Sequence, residues 1–179
     1  MMLVSMREAN WLLVRHHYLG PIHRGFALRD DLGLLVFANP SSRRLPLDWL
    51  ELSRWCLTNA GHNAGSAQWS RVGAWLRSHR SETTVVSYSD PSRGHTGALY
   101  KASGWWWAPT WHRLRPPPSG NGCWSDKNEP VKDRWIYPLK ADPDRERLLI
   151  HNDESIARSY PRSLYSEPGG VDWKRWDKA

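Results

Sequence analysis

The stretch from Thr83 to Trp107 constrains the fold of this 179-residue chain more than any other part of it. It opens with T-T-V-V-S-Y, a β-branched run that predicts a buried strand, and the polar turn Ser89-Asp90-Pro91 ends that strand. Residues His95 to Ser103 then predict a short helix with Gly104 as its stop, and the next strand is expected to start at Trp105.

This arrangement resembles two known groups of proteins. The segment A-L-Y-K-A-S-G-W at residues 98–105 is similar to the closing motif of the GNAT acetyltransferase superfamily. The longer segment S-Y-S-D-P-S-R-G-H-T-G-A-L-Y-K-A-S-G-W, residues 87–105, resembles the Mom family of phage DNA-modification proteins, and the similarity is best over residues 48–107. The resemblance implies an α/β fold with a GNAT-like mixed, mostly antiparallel central sheet flanked by helices.

The rest of the chain supplies elements that suit such a sheet. Leu47 to Leu57 carries apolar side chains on both faces, which is typical of a central strand. The other predicted elements are a helix over 7–19, a hairpin of strands 26–29 and 34–37, a helix over 66–78, a last strand over 134–139 that pairs with 105–114, and a short helix within 142–150.

The chain is the size of one ordinary domain, and we expect a single GNAT-like domain over residues 1–168 with a flexible basic tail over 169–179. Cys56 and Cys123 do not form a C-x-x-C pair, and two cysteines are too few for a zinc ribbon. No window approaches the ~20 apolar residues of a membrane span, so we expect a cytoplasmic protein without membrane contact.

The candidate catalytic residues follow from the resemblance. Tyr100 stands where GNAT enzymes often use a tyrosine to protonate the departing thiolate; the alternative is a core tyrosine on an amphipathic helix. Ser89 and Asp90 follow a central strand, at the edge where α/β folds collect ligands, although Asp90 could simply form an Asx turn before Pro91.

A second candidate lies near the N-terminus, in His16-His17-Tyr18, because an H-Y pair at this place also resembles the Mom family. His17 could act as a base or as a ligand, since histidine moves protons near neutral pH. His17, Asp90 and His95 could together form a metal set, but no H-x-x-x-H or H-x-D spacing supports one.

The helix predicted over 66–78 offers a place for a cosubstrate. Small residues at a helix start expose backbone N–H groups that bind phosphate, which is how GNAT proteins hold coenzyme A. The usual GNAT phosphate motif is absent, and Asn63-Ala64-Gly65-Ser66 instead resembles the Asn-x-x-Ser turn of Mom relatives, so the donor is acetyl-CoA or another small acyl or glycyl donor. The alternative is an Asn/Gly loop with Ser66 as N-cap. Glu51 and Arg54 are expected on opposite strand faces, one of them facing the cosubstrate cleft.

Composition points to a polyanionic partner. The formal charge is +7, and the chain has 13 Trp against two Phe, so basic side chains could bind phosphates while indoles stack on exposed bases. The alternative is that the Trp residues form the core and the charge aids solubility. We assign double-stranded DNA to the hairpin between Trp105 and Trp135, through Arg113, Arg115, Trp106, Trp111 and Lys132.

The resemblance implies a phage DNA-modification enzyme that converts the exocyclic amine of adenine to a carbamoylmethyl derivative and so protects DNA from restriction. The target base would have to leave the stack to reach the active site. An ordinary GNAT N-acetyltransferase that uses acetyl-CoA and a non-catalytic DNA-binding protein of GNAT fold are the alternatives.

Overall fold

The computed structural model of the chain describes residues 1–42, 45–59, 61–108 and 132–140. The elements in chain order are β1 (Met2–Val4), α1 (Met6–His16), β2 (Phe26–Arg29), β3 (Gly33–Ala38), β4 (Trp49–Leu57), α2 (Ala64–His79), β5 (Thr84–Ser89), a 3₁₀ turn (Pro91–Arg93), α3 (Ala98–Ala102), β6 (Trp106–Ala108) and β7 (Asp133–Pro138). The expectations for Cys123, the helix within 142–150, the boundary at residue 168 and the tail over 169–179 lie outside the described residues.

The strands form one sheet in the order β1-β2-β3-β4-β5-β7-β6 across the described ranges. Each neighbouring pair is antiparallel except β4 and β5, which run parallel. The expected α/β fold with a mixed, mostly antiparallel central sheet flanked by helices is therefore confirmed. The doubly apolar strand β4 does lie at the centre of the sheet, as its pattern predicts.

Two helices cover opposite faces of this sheet. Helix α1 buries Ala9, Leu12 and Leu13 against Val36, Cys56 and their neighbours. Helix α2 lies on the other face, and its Trp69, Val72 and Leu76 pack against residues of β3, β4 and β5 such as Phe37, Leu50 and Val85. Both faces of the sheet are therefore covered by packed helices next to the site described below.

Element boundaries differ from the sequence prediction at several points. Strand β1 was not expected, and β4 begins at Trp49 rather than at Leu47. Helix α3 begins only at Ala98, because Gly97 is left-handed (φ 74°) and a separate 3₁₀ turn occupies residues 91–93. Trp105 precedes β6, which starts one residue later.

A β-bulge in β4 corrects the expectation for Glu51 and Arg54. Arg54 is opposite Val36 while Leu52 is opposite Phe37, so Ser53 is an extra residue in β4. Glu51 is opposite Ala38, and Val36 and Ala38 share a face. Glu51 and Arg54 therefore lie on the same face of the sheet, not on opposite faces, because the inserted residue reverses the alternation.

The start of α2 also differs from the prediction. The helix begins at Ala64, and its N-cap is Asn63, which adopts a left-handed conformation (φ 60°) and makes no side-chain capping bond. Ser66 therefore lies in the first turn and is not the N-cap; its hydroxyl donates to the Asn63 carbonyl at 3.1 Å.

Among the helices in the described ranges, none is long and apolar enough to cross a membrane.

Two glycines before β2 allow a test of how closely the chain approaches β3. Gly25 has φ +99°, and a Cβ there would lie 1.9 Å from the Phe37 carbonyl oxygen, whereas Gly20 has φ +61° with open space around it. Both Ala variants should lose ~1–3 kcal/mol from backbone strain, and Gly25→Ala should lose roughly 1–3 kcal/mol more from the clash with β3. Urea unfolding of both variants measures this, and equal losses would contradict the close approach.

Candidate active site at the split between β4 and β5

The candidate site is a cleft where the two parallel strands separate. Strands β4 and β5 pair from Trp49 opposite Thr84 to Leu52 opposite Ser87, and the ladder stops there. Beyond that point β4 continues on β3 and β5 continues on β7, so the sheet opens between them. The opening forms a cleft of about 290 Å³, lined by His17, Tyr18, Leu19, Leu52, Ser53, Trp55, Ser87, Tyr88, Ser89 and the segment Gly94 to Tyr100.

Tyr100 lies at the base of this cleft in a short chain of hydrogen bonds. The Ser87 hydroxyl donates to the Leu52 carbonyl at 2.9 Å, and its oxygen is 2.9 Å from the Tyr100 hydroxyl. Because the proton of Ser87 is already used, Tyr100 donates to Ser87. Burial raises the pKa of Tyr100 to about 12, so its phenol stays protonated at neutral pH.

Aromatic rings hold Tyr100 in place. Its ring is stacked on that of Trp135, with centroids 5.3 Å apart and planes 8° from parallel. Trp55 and Trp105 contact the same ring edge to face, with centroids at 5.7 and 5.3 Å. Tyr100 is therefore a packed core residue that also lines the cleft, and its role as an acid stays a prediction.

Ser89 and Asp90 are both buried but have different surroundings. Ser89 lines the cleft, and its hydroxyl oxygen accepts from the Trp135 indole N–H at 2.9 Å. One carboxylate oxygen of Asp90 accepts from the backbone N–H and the hydroxyl of Ser92, at 3.0 and 2.5 Å. This is the Asx turn foreseen as the alternative, and Asp90 is not among the residues that line the cleft.

Two histidines from distant parts of the chain meet at the cleft. His17 follows α1, His95 follows the 3₁₀ turn, and the ring of Tyr18 lies between them. Tyr18 stacks on His17 with centroids 5.1 Å apart and meets His95 edge to face at 5.2 Å. Burial, and next the Asp90 charge, raise the pKa of the Tyr18 phenol.

Backbone contacts select the tautomer of both histidines. Nδ1 of His17 accepts from the Leu19 N–H at 3.2 Å, and Nδ1 of His95 accepts from the Asp90 N–H at 3.4 Å. A ring nitrogen that accepts carries no proton, so neutral His17 carries its proton on Nε2 and acts as a donor there. In this tautomer His17 is not a base toward the cleft through Nε2.

Arg54 lies behind His17 and helps to keep it neutral. Its Nε donates to the Gly20 carbonyl at 3.2 Å and its Nη1 to the Ser53 carbonyl at 2.7 Å, which ties the loop after α1 to β4. Burial, then the charges of Arg54 and His95, lower the pKa of His17 from 6.5 to about 4.

Within the described ranges, no group of three or more His, Cys, Asp or Glu side chains could hold a metal ion, so His17, Asp90 and His95 do not form the set considered above.

The predicted cosubstrate residues lie beside the cleft rather than in it. Asn63, Ala64, Gly65 and Ser66 are not among its lining residues, but a Cβ on Gly65 would lie 1.9 Å from a methyl group of Leu99, which does line it. Glu51 is buried, and its carboxylate accepts from the backbone N–H and the hydroxyl of Ser41. Glu51 therefore anchors the loop that precedes β4.

The DNA-binding residues assigned from the sequence are only partly described. Arg113, Arg115 and Trp111 lie outside the described residues, and Lys132 is half-buried just before β7. Trp106 was assigned to DNA binding, and the structure places it half-buried against the cluster of Leu45, Trp49, Val86, Ala108 and Ile136. Trp105 and Trp107 pack against the α2 side, so each face of this strand packs on a cluster.

Sequence reasoning missed a buried polar chain that supports the cleft wall. Gln68 of α2 is fully buried; its side-chain oxygen accepts from the Trp55 indole N–H at 2.8 Å, and its amide donates to Asp30 at 2.7 Å. Asp30 also binds the N–H groups of its own hairpin turn. The signal was available, because Gln68 shares a helical stripe with Val72 and Leu76 and is polar. Ser53, Trp55 and Ser87 are further cleft residues to which no sequence pattern gave a role.

Replacing Gln68 tests this chain. Gln68→Leu leaves the Trp55 indole N–H without its acceptor and should lower the free energy of unfolding by ~1–3 kcal/mol. Trp55→Phe has no N–H to satisfy, so adding Gln68→Leu to Trp55→Phe should cost clearly less than Gln68→Leu alone. Urea unfolding of the four proteins of this cycle measures the coupling energy, and a value near zero would show that Gln68 does not act through Trp55.

The pKa of His17 is a second test. An NMR titration should find a midpoint near 4, and Arg54→Met should raise it toward 6.5 without reaching that value, because burial remains. Arg93→Met is the control, since Arg93 lies over the Tyr18 ring and not against His17. As the unfolded state binds the proton more tightly, His17 lowers stability as pH falls from 6.5 through about 4. An unshifted midpoint in Arg54→Met would contradict the charge contact.

The chain is similar to a known protein family and, more distantly, to a solved structure. The solved structure of the ribosomal-protein-S18-alanine N-acetyltransferase from Escherichia coli is similar over 80% of this chain and 97% of that chain, with 14% sequence identity and a TM-score of 0.45. No curated protein matches the chain. The model of the Mom protein family matches residues 1–115, which include each cleft residue from His17 to Tyr100. The chain therefore belongs to the Mom protein family.

Proposed function

We propose that this protein is a DNA-modification enzyme that converts the exocyclic amine of adenine to a carbamoylmethyl derivative and thereby protects DNA from restriction. The observation that carries this proposal is the Mom family match, which spans every residue that lines the cleft, His17 and Tyr100 included. DNA as the substrate agrees with the charge of +7.

The size of the cleft supports a small reacting unit. Its volume of about 290 Å³ is at the lower end of small-molecule sites, which run from about 300 to 1,000 Å³. One base and a small acyl or glycyl group would fill such a space. A base in a duplex reaches it only after leaving the stack, which costs a few kcal/mol and is common among enzymes that act on bases.

The residues of the cleft suit a transfer to an amine. As the new N–C bond forms and the donor loses its leaving group, the amine nitrogen gives up one proton and the leaving group takes one. Tyr100 supplies the proton to the leaving group, because its phenol is the protonated acid at the base of the cleft. The proton that the amine releases then restores the phenol, so the transfer closes without a net change in protonation of the site. Ser87 accepts from Tyr100 in the unliganded site, so a ligand atom that takes the proton replaces Ser87 as the acceptor.

A carbamoylmethyl group carries a nitrogen, so the proposed donor is a small glycyl donor or a similar nitrogen-containing acyl donor, whereas acetyl-CoA suits the alternative N-acetyltransferase. The start of α2 at Asn63 to Ser66 is the proposed place for its phosphate or polar end, since Gly65 adjoins the cleft through Leu99. His17 contributes a neutral Nε2–H donor to the same space, and Arg54 keeps that loop in position.

The decisive measurement is the mass of nucleosides from DNA of cells that express this chain. We expect an adenosine derivative heavier by the carbamoylmethyl group, and Tyr100→Phe should keep the fold while lowering its amount ~100-fold or more, as removal of a general acid does. Tyr137→Phe is the matched control, because Tyr137 packs on Trp69 and Trp105 outside the cleft and should leave the product unchanged.

Other results would decide between the remaining functions. An acetylated amine on a protein or small molecule, without modified adenosine, would identify an ordinary N-acetyltransferase. DNA binding without any product would identify a non-catalytic protein. Full activity in Tyr100→Phe would show that Tyr100 only packs.

A further inference from the structure

The outer face of α1 differs from the rest of the described surface. It consists of Arg7, Trp11, Val14 and Arg15, which lie opposite the residues that α1 buries against the sheet. Trp11 is 57% exposed and Val14 66%. A shallow, open depression of about 510 Å³ lies on this face and is lined by Ser5, Arg7, Glu8, Asn10, Trp11 and Val14.

Trp11 is the one exposed tryptophan among those that the structure describes, since the others are buried or half-buried. The guanidinium carbon of Arg15 lies 3.9 Å from the centroid of the Trp11 ring, and Arg15 Nη1 donates to the Trp11 carbonyl at 2.9 Å. The cation and the indole therefore form one preorganised unit on the helix surface.

The charges on this face are not compensated by carboxylates. The Glu8 carboxylate is bound by Arg29 at 2.8 Å, and neither Arg7 nor Arg15 has a carboxylate within ion-pair distance in the described ranges. Arg15 complements the helix dipole at its C-terminal end, but Arg7 lies in the first turn, where the dipole disfavours a cation. Helix stability therefore does not account for Arg7, and a bound anion would.

The position of α1 connects this face to the cleft. The helix ends at His16, and the next three residues, His17, Tyr18 and Leu19, line the cleft. Arg7 and Arg15 are eight residues apart, which is about 12 Å along a helix and equals the axial rise of three to four base pairs of duplex DNA. A duplex that lies along α1 thus carries its backbone to the mouth of the cleft.

We propose that the outer face of α1 docks the sugar–phosphate backbone of duplex DNA, with Arg7 and Arg15 on phosphates and Trp11 against the strand between them. This inference rests on the proposed action on DNA and adds the surface that presents the duplex. Charge complementarity selects the partner, because two uncompensated arginine forks match phosphate oxygens and the protein is basic overall.

The test measures the affinity for a fluorescein-labelled 20-base-pair duplex by fluorescence anisotropy over a series of salt concentrations. In Arg7→Gln/Arg15→Gln the slope of log affinity against log salt should fall by about 0.9 for each arginine, hence by up to about 1.8. Trp11→Ala should weaken binding about 5-fold or more with an unchanged slope, since it releases no counterions. The matched control is Arg77→Gln, an exposed arginine of α2 on the opposite side of the sheet, which should keep the wild-type slope.

The results separate this inference from the proposed chemistry. Tyr100→Phe should bind the duplex with the wild-type slope while it loses the modified nucleoside. Slope changes that depend on Arg7 and Arg15, without any modified nucleoside in the wild type, would uphold the docking surface and overturn the proposed reaction. A wild-type slope in the double variant, an equal loss in Arg77→Gln, or no duplex binding by the wild type would overturn the docking surface. A double variant that changes the sedimentation coefficient but not the salt slope would also overturn the docking surface for DNA, because the face would then bind a second copy of the chain.

Discussion

The structure depends on the point where β4 and β5 stop pairing. After Leu52 and Ser87 each strand follows a different neighbour, and the bulge at Ser53 turns β4 away from β5. The Ser87 hydroxyl donates to the Leu52 carbonyl at the end of the ladder, and its oxygen accepts a hydrogen bond from the Tyr100 hydroxyl. One serine thus marks the end of the parallel pair and orients the proposed acid.

The cleft wall is aromatic, and polar contacts fix its rings. Trp55 donates to Gln68, and Trp135 donates to Ser89, so two of the indoles around Tyr100 have defined orientations. Because Trp and Tyr each carry one polar atom on a large apolar ring, they can fill a core and still be held by hydrogen bonds. Among the described indoles Trp55 lines the cleft, and Trp69, Trp105 and Trp135 pack in the same cluster behind it.

The electrostatics of the cleft mouth follow from the same construction. His17 and His95 both accept from backbone N–H groups at Nδ1, and Arg54 lies close enough to lower the pKa of His17. Nearby positive charge and burial act in the same direction, so His17 remains neutral at physiological pH. In the proposed function the mouth therefore offers hydrogen-bond donors to the target base, while the positive charge that attracts DNA lies on exposed arginines outside it.

Local patterns in the sequence are enough to predict several elements of the fold. β-branched runs, turn residues and periodicity act over a few neighbours, and they predict the strand before Ser89, the hairpin around Asp30, the central strand to Leu57 and the position of Tyr100 on a short helix. Which of these residues contact one another depends on the folding of the whole chain. Glu51 and Arg54 share a face because of one inserted residue at Ser53, and no local pattern reports a bulge. His17 and His95 both contact the Tyr18 ring, and the Trp55 indole donates to Gln68. These contacts join distant segments, so they depend on the order of the strands in the sheet, which is set by the packing of the whole core.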